Sequence, residues 1–145
     1  MTLITLILIN LIWIAYSLSD GLIEGFYFHF RNNSRRACEF EINRFFSLQR
    51  ILVMILMAGF LVHVLGWYSL TVIVCQILMF FFFHNGAYYL TRHKLDDKMY
   101  PLGWRDESRT FPVFYSGLTK YKKRTALMVL GLTIQVFIYI FLLHD

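Results

Sequence analysis

All fourteen Lys and Arg residues fall in two stretches, Arg31 to Arg50 and Arg92 to Arg124, and the remainder of the chain is almost uncharged and strongly apolar. A chain sorted in this way is built for a bilayer. Basic residues collect in the cytoplasmic loops of membrane proteins. Both basic stretches are therefore expected on the cytoplasmic side, with both chain ends on the far side.

Composition agrees with that constraint. Hydrophobic residues make up 58% of the 145 and aromatic ones 19%, and the mean hydropathy of +0.55 exceeds that of ordinary soluble domains. There is room for one membrane domain and no separate soluble one. The net charge of +5 is no nucleic-acid signal. It lies beside the apolar runs, where it orients the chain and attracts anionic lipid headgroups. The N-terminal apolar run has no positive charge before it, while Arg31, Arg35 and Arg36 follow it. Although Ala15-Tyr16-Ser17 imitates a cleavage site, this order is opposite to that of a secretory signal. An uncleaved first span is expected. Cys38 and Cys75 suggest free thiols, not a disulfide framework.

Four spans are expected, at about 2–24, 51–67, 70–90 and 126–144, with cytoplasmic loops at about 31–50 and 92–124. Each span approaches the roughly 20 residues that a helix needs to cross the hydrocarbon core. The predicted fold class is an all-α polytopic integral membrane four-helix bundle with interfacial amphipathic segments. Its expected location is the bacterial inner membrane. The uncharged link Gly66-Trp67-Tyr68-Ser69 makes spans two and three a hairpin turning at the outer interface. Glu39 to Arg50 reads as a short amphipathic helix, with Ile42, Phe45, Phe46 and Leu48 toward lipid and Glu41, Arg44 and Arg50 in water. Phe111-Pro112-Val113-Phe114-Tyr115 is expected to fold against the bundle or the membrane surface. Lys120, Lys122, Lys123 and Arg124 read as a positive stop beside the fourth span.

Asn10, Trp13, Ser17, Asp20, Glu24, Tyr27 and Arg31 recur at steps of three and four, which aligns them on one face of a helix running beyond the first span. Gly21 and Gly25 form a GxxxG pair on that helix, a spacing that lets membrane helices approach closely. Contact with the third span near Gly86 is expected.

Ionisable groups within spans are costly unless paired or wet, so they carry most of the functional information. Asp20 and Glu24 lie one turn apart, and His84, Asn85, Tyr88 and Tyr89 reach a similar depth on the third span. Asp20, Glu24, His84 and one of His29 or His93, which lie slightly lower, could form a carboxylate-imidazole centre for Zn, Mn or Fe, with Tyr88 supporting a bound ligand. The structural alternative is that the two carboxylates mark where the helix enters water and pair with Arg31, Arg92 or Lys94. No compact HxxxH or HExxH motif is present. A deeper polar set, Asn10, His63, Gln76 and Gln135, supplies one residue per span. Hydrogen bonding between helices is its ordinary role. A path for protons or a small solute is the sharper one, with His63 its only group titrating near neutral pH. Met54, Met57, Met79 and Met128 read as packing residues.

The segments Asp20-Gly21-Leu22-Ile23-Glu24-Gly25-Phe26-Tyr27 and His84-Asn85-Gly86-Ala87-Tyr88-Tyr89-Leu90-Thr91-Arg92, continuing to Tyr100-Pro101-Leu102-Gly103-Trp104, resemble uncharacterised small four-span membrane proteins of Bacteroidota-type bacteria and their phages. That group has no assigned activity, so the resemblance transfers no catalytic residue. It implies that the Gly21/Glu24 and His84/Arg92 regions form one packed unit.

The chain carries no glycine-rich phosphate loop, GxSxG elbow or CxxC pair. The expected function is a non-enzymatic membrane component, an accessory or assembly subunit, with a phage-type particle as one setting. Its expected partners are lipid, anionic lipids at the basic loops, and other membrane subunits or further copies of itself. No cofactor is expected under that reading. A metal-dependent membrane enzyme and a small transporter are the alternatives.

Overall fold

The computed structural model describes residues 3–30, 36–107 and 120–144. Four long helices account for most of them: α1 (Leu3–Phe30), α2 (Arg36–Leu65), α3 (Tyr68–Leu95) and α4 (Tyr121–His144). All four are long and apolar enough to cross a membrane. A short 3₁₀ turn at Gly103–Arg105 lies between α3 and α4.

The α1 helix has 28 residues. At 1.5 Å per residue it extends about 42 Å, more than the roughly 30 Å hydrocarbon thickness. The expected amphipathic helix and second span are one continuous α2. No Gly or Pro interrupts residues 36–58, so the rise in charge before Ile51 does not end the helix. The side chains of residues 36–44, Cys38 included, lie outside the described residues, as do residues 108–119 with their Phe111–Tyr115 run.

Helix α2 passes into α3 through a tight turn. Gly66 has φ +54°, which suits the residue without a Cβ. The Ser69 N–H and hydroxyl both donate to the Gly66 carbonyl, at 3.1 and 2.5 Å. Trp67 projects from the turn and is 89% exposed.

Helix α3 is the hub, contacting α1, α2, α4 and the 3₁₀ turn. At the hairpin end, Leu6, Ile9, Leu61, Leu65 and Val72 form an apolar cluster, flanked by Ile138 and Tyr139 of α4. Below it Trp13 donates from Nε1 to the Gln76 backbone carbonyl at 2.8 Å and lies against Phe80. Outward faces remain apolar. Leu52, Ile55, Leu56 and Phe60 of α2 and Val136, Phe137, Ile140 and Phe141 of α4 are all exposed.

Gly21 and Gly25 do bring α1 against α3. A Cβ on Gly21 would overlap the His84 carbonyl, and one on Gly25 would lie 2.9 Å from Thr91 Cβ and 3.0 Å from the Tyr88 carbonyl oxygen. Gly86 serves a different contact. It faces the indole of Trp104, which also packs edge-on against Phe82. The third expected packing glycine thus holds the α3–α4 connection against α3, not α1.

Candidate functional site

The 3,4-spaced stripe of α1 points inward along its middle and lower part. Trp13, Ser17, Asp20 and Glu24 are all buried. The Ser17 hydroxyl is occupied locally, donating to the Trp13 carbonyl at 2.8 Å. One turn further on, the carboxylates meet groups from two other helices.

Arg50 of α2 is the central partner. Its Nε donates to Asp20 Oδ2 at 2.7 Å, and its Nη2 to Glu24 Oε2 at 2.5 Å. His84 of α3 completes the group: its Nε2 lies 2.8 Å from Glu24 Oε2, 3.2 Å from Asp20 Oδ2 and 2.8 Å from Arg50 Nη2. The Asp20 side chain is only 2% exposed and that of Arg50 21%. Phe80 stacks on the His84 ring at 4.9 Å, and the Arg50 guanidinium lies 5.7 Å from the Phe46 ring and 5.8 Å from that of Phe80. These rings screen the charges from water.

The geometry gives His84 two incompatible bonding states. Nδ1 lies 3.3 Å from Asn85 Oδ1. With both ring nitrogens protonated, the imidazolium donates to Asn85 and to the carboxylates, and the cluster holds two positive and two negative charges. With Nε2 bare, it accepts from Arg50 and the cluster carries one net negative charge. One nitrogen cannot fill both roles, so whether Nε2 carries a proton sets which helix His84 holds.

Asp20, Glu24 and His84 also meet the geometric requirement for sharing a cation. Their donor atoms all lie within 4.8 Å of one another. Ligands at about 2.1 Å from a tetrahedral ion lie about 3.4 Å apart, comparable with the spacings here. The guanidinium occupies the position in front of these atoms and acts as their cation.

The other nominated ligands stand elsewhere. His29 packs edge-on against Phe30. The His93 Nδ1 lies 2.7 Å from the Tyr100 carbonyl oxygen, and the ring lies beside Gly103. Tyr88 packs on Phe28 and Tyr89. Of the expected carboxylate partners, Arg92 faces the Tyr100 ring instead, Lys94 is exposed, and Arg31 lies outside the described residues. The residue that takes their place is Arg50, which the charge pattern alone places in water.

The deeper polar set divides. Gln135 donates to Asn10 Oδ1 at 3.1 Å, tying α4 to α1. Gln76 is buried and accepts at its backbone carbonyl, while its side-chain Nε2 has no hydrogen-bond partner among the described residues. His63 is exposed on α2 and does not join the others. Cys75 is a free, buried thiol, and Met79 fills the core. Lys120, Lys122 and Lys123 are exposed, but Arg124 is wholly buried, so the expected positive stop is not uniform.

No family model, no curated protein and no solved structure matches the chain.

Proposed function

We propose that the chain is an integral membrane protein that serves as a non-enzymatic component, an accessory or assembly subunit, with its basic loops in the cytoplasm and both ends outside. The observation that supports this most is the wide apolar surface of α2. It packs through a narrow edge carrying Phe46, Leu61 and Leu65, while Ile51, Leu52, Ile55, Leu56, Phe60 and Val62 remain exposed. Contiguous apolar surface of this kind calls for lipid or another helix. The charged cluster fixes α1, α2 and α3 together and leaves that surface presented in one orientation. Purification in mild detergent followed by native mass analysis tests the reading. A stoichiometric partner subunit or a defined homo-oligomer is expected. A strictly monomeric species would overturn it.

A second reading, a divalent-metal centre, is favoured by the convergence of the Asp20, Glu24 and His84 donor atoms. Such a centre would use Zn, Mn or Fe with a carboxylate-imidazole set. Arg50 and the ion would compete for the same atoms. Arg50→Met is therefore expected to take up Zn at least tenfold more tightly than the unmodified protein, and adding His84→Ala to abolish the gain. Equal Zn content in all three by elemental analysis would remove the metal reading. The transport alternative has less support, because His63 faces away from Asn10, Gln76 and Gln135.

A further inference from the structure

A second concentration of buried positive charge lies where α3 ends and α4 begins. Arg92 is 4% exposed and Arg124 0%. Arg124 Nη2 donates to the carbonyls of Trp104 and Asp106. Its Nε and Nη1, and the Nε of Arg92, are buried without a hydrogen-bond partner among the described residues. Neither guanidinium has a carboxylate within 4.0 Å among those residues, since the ion pairs there all belong to the Asp20 cluster.

Three of the four acids of the connecting segment accept backbone hydrogen bonds, and the fourth, Asp97, is exposed. Asp96 accepts from the Met99 N–H, Asp106 from the Leu102 N–H, and Glu107 from the Tyr121 N–H. Residues 108–119 contain no Asp or Glu. Aromatic rings offset part of the charge. The Arg92 guanidinium lies 4.8 Å from the Tyr100 ring, and that of Arg124 lies 5.4 Å from Tyr89 and 5.5 Å from Tyr121. Tyr89 and Tyr100 are 6.1 Å apart, so the two cations lie against one pair of neighbouring rings. Ring faces attract a cation but do not neutralise it; Glu107 and Asp106 offset part of the Arg124 charge from beyond 4.0 Å, and a buried charge without a close counter-ion is unfavourable.

We propose that Arg92 and Arg124 form a binding site for a phosphate group, carried by an anionic lipid headgroup or by a soluble phosphate. Guanidinium donors match phosphate oxygens in pairs, and the neighbouring rings hold the two groups in place. Arg105 marks the way in. It is exposed and lies 5.7 Å from the same Tyr121 ring that Arg124 faces. Exposed Lys98, Lys122 and Lys123 add a long-range attraction for anions. The lipid source rests on the membrane placement proposed above, whereas the phosphate chemistry does not.

The test uses the full chain in detergent, with native mass spectrometry after adding phosphatidylglycerol, phosphatidylcholine or inorganic phosphate. One phosphatidylglycerol retained per chain is expected, or one inorganic phosphate if the source is soluble. Phosphatidylcholine should be retained at least tenfold less. Arg92→Gln is expected to cut retention of the preferred anion at least tenfold, and Lys122→Gln/Lys123→Gln less than twofold. Arg92→Gln carries the test if Arg124→Gln fails to fold. Retention that follows Lys122 and Lys123 and ignores Arg92, or no retention of any anion, would overturn the site. Extraction of the chain from membranes by alkaline carbonate would overturn the membrane placement separately, and the phosphate arm would still report on Arg92.

Discussion

At the scale of single residues, Arg50 changes the meaning of its neighbours. Asp20, Glu24 and His84 are legible in the sequence because helical spacing aligns the first two and depth along the third span supplies the last. Arg50 is not, because a basic residue at the edge of an apolar run is ordinarily assigned to water. A signal was available in the hairpin. Arg50 lies nearly as many residues before Gly66 as His84 lies after it, so a close antiparallel pair places them at one depth. Removing one partner from a buried ion pair costs about 3–5 kcal/mol. Arg50→Met is thus expected to lower thermal stability in detergent sharply. Combining it with Asp20→Asn and Glu24→Gln should restore more than half of the loss, since no unpaired carboxylate then remains. Unfolding of Arg50→Met at the unmodified temperature would show that the carboxylates are solvated.

At the scale of elements, α3 organises the molecule through small residues. The GxxxG pair was readable from sequence and packs on α3, but the role of Gly86 was not, because nothing local announces that Trp104 returns to it. Gly21→Leu and Gly25→Leu should each lower the unfolding temperature by pushing α1 from α3. Gly59→Leu is the control, since a Cβ there meets nothing within 4 Å. Equal effects at all three positions would remove the close-packing account. In a Trp67→Phe background, Gly86→Ala should increase iodide quenching of Trp104 by releasing the 3₁₀ turn. Unchanged quenching would mean that the turn is held without this contact. The merger of the amphipathic segment and second span into α2 was obscured by composition. Charge changes at Arg50, but a helix ends at a breaker or a cap, and none intervenes.

For the whole molecule, an all-helical fold with four span-length helices was legible because apolar runs of sufficient length are a strong signal. Helix contacts were less so, since helices that are apolar all round do not reveal which face meets a neighbour. Orientation is tested with single cysteines in a Cys38→Ser/Cys75→Ala background. Trp67→Cys, at the exposed hairpin tip, should react with an impermeant thiol reagent added outside intact cells. Lys98→Cys, in the basic loop, should react only after permeabilisation. The reverse pattern would invert the topology.

On the proposed membrane placement, the order in which the cluster's members occur along the chain bears on how the protein enters a bilayer. Arg50 follows Asp20 by 30 residues and Glu24 by 26, while His84 comes a further 34 later. The first helix therefore emerges from the ribosome carrying two carboxylates and no Lys or Arg of its own, a burden of about 3 kcal/mol for each one placed deep in lipid. The guanidinium arrives with the very next helix. A hairpin of α1 and α2 that inserts as one unit avoids that burden, and the imidazole closes the assembly once the third helix has been synthesised. Chains lacking Arg50 should stall before this stage, with α1 left at the membrane surface and open to protease.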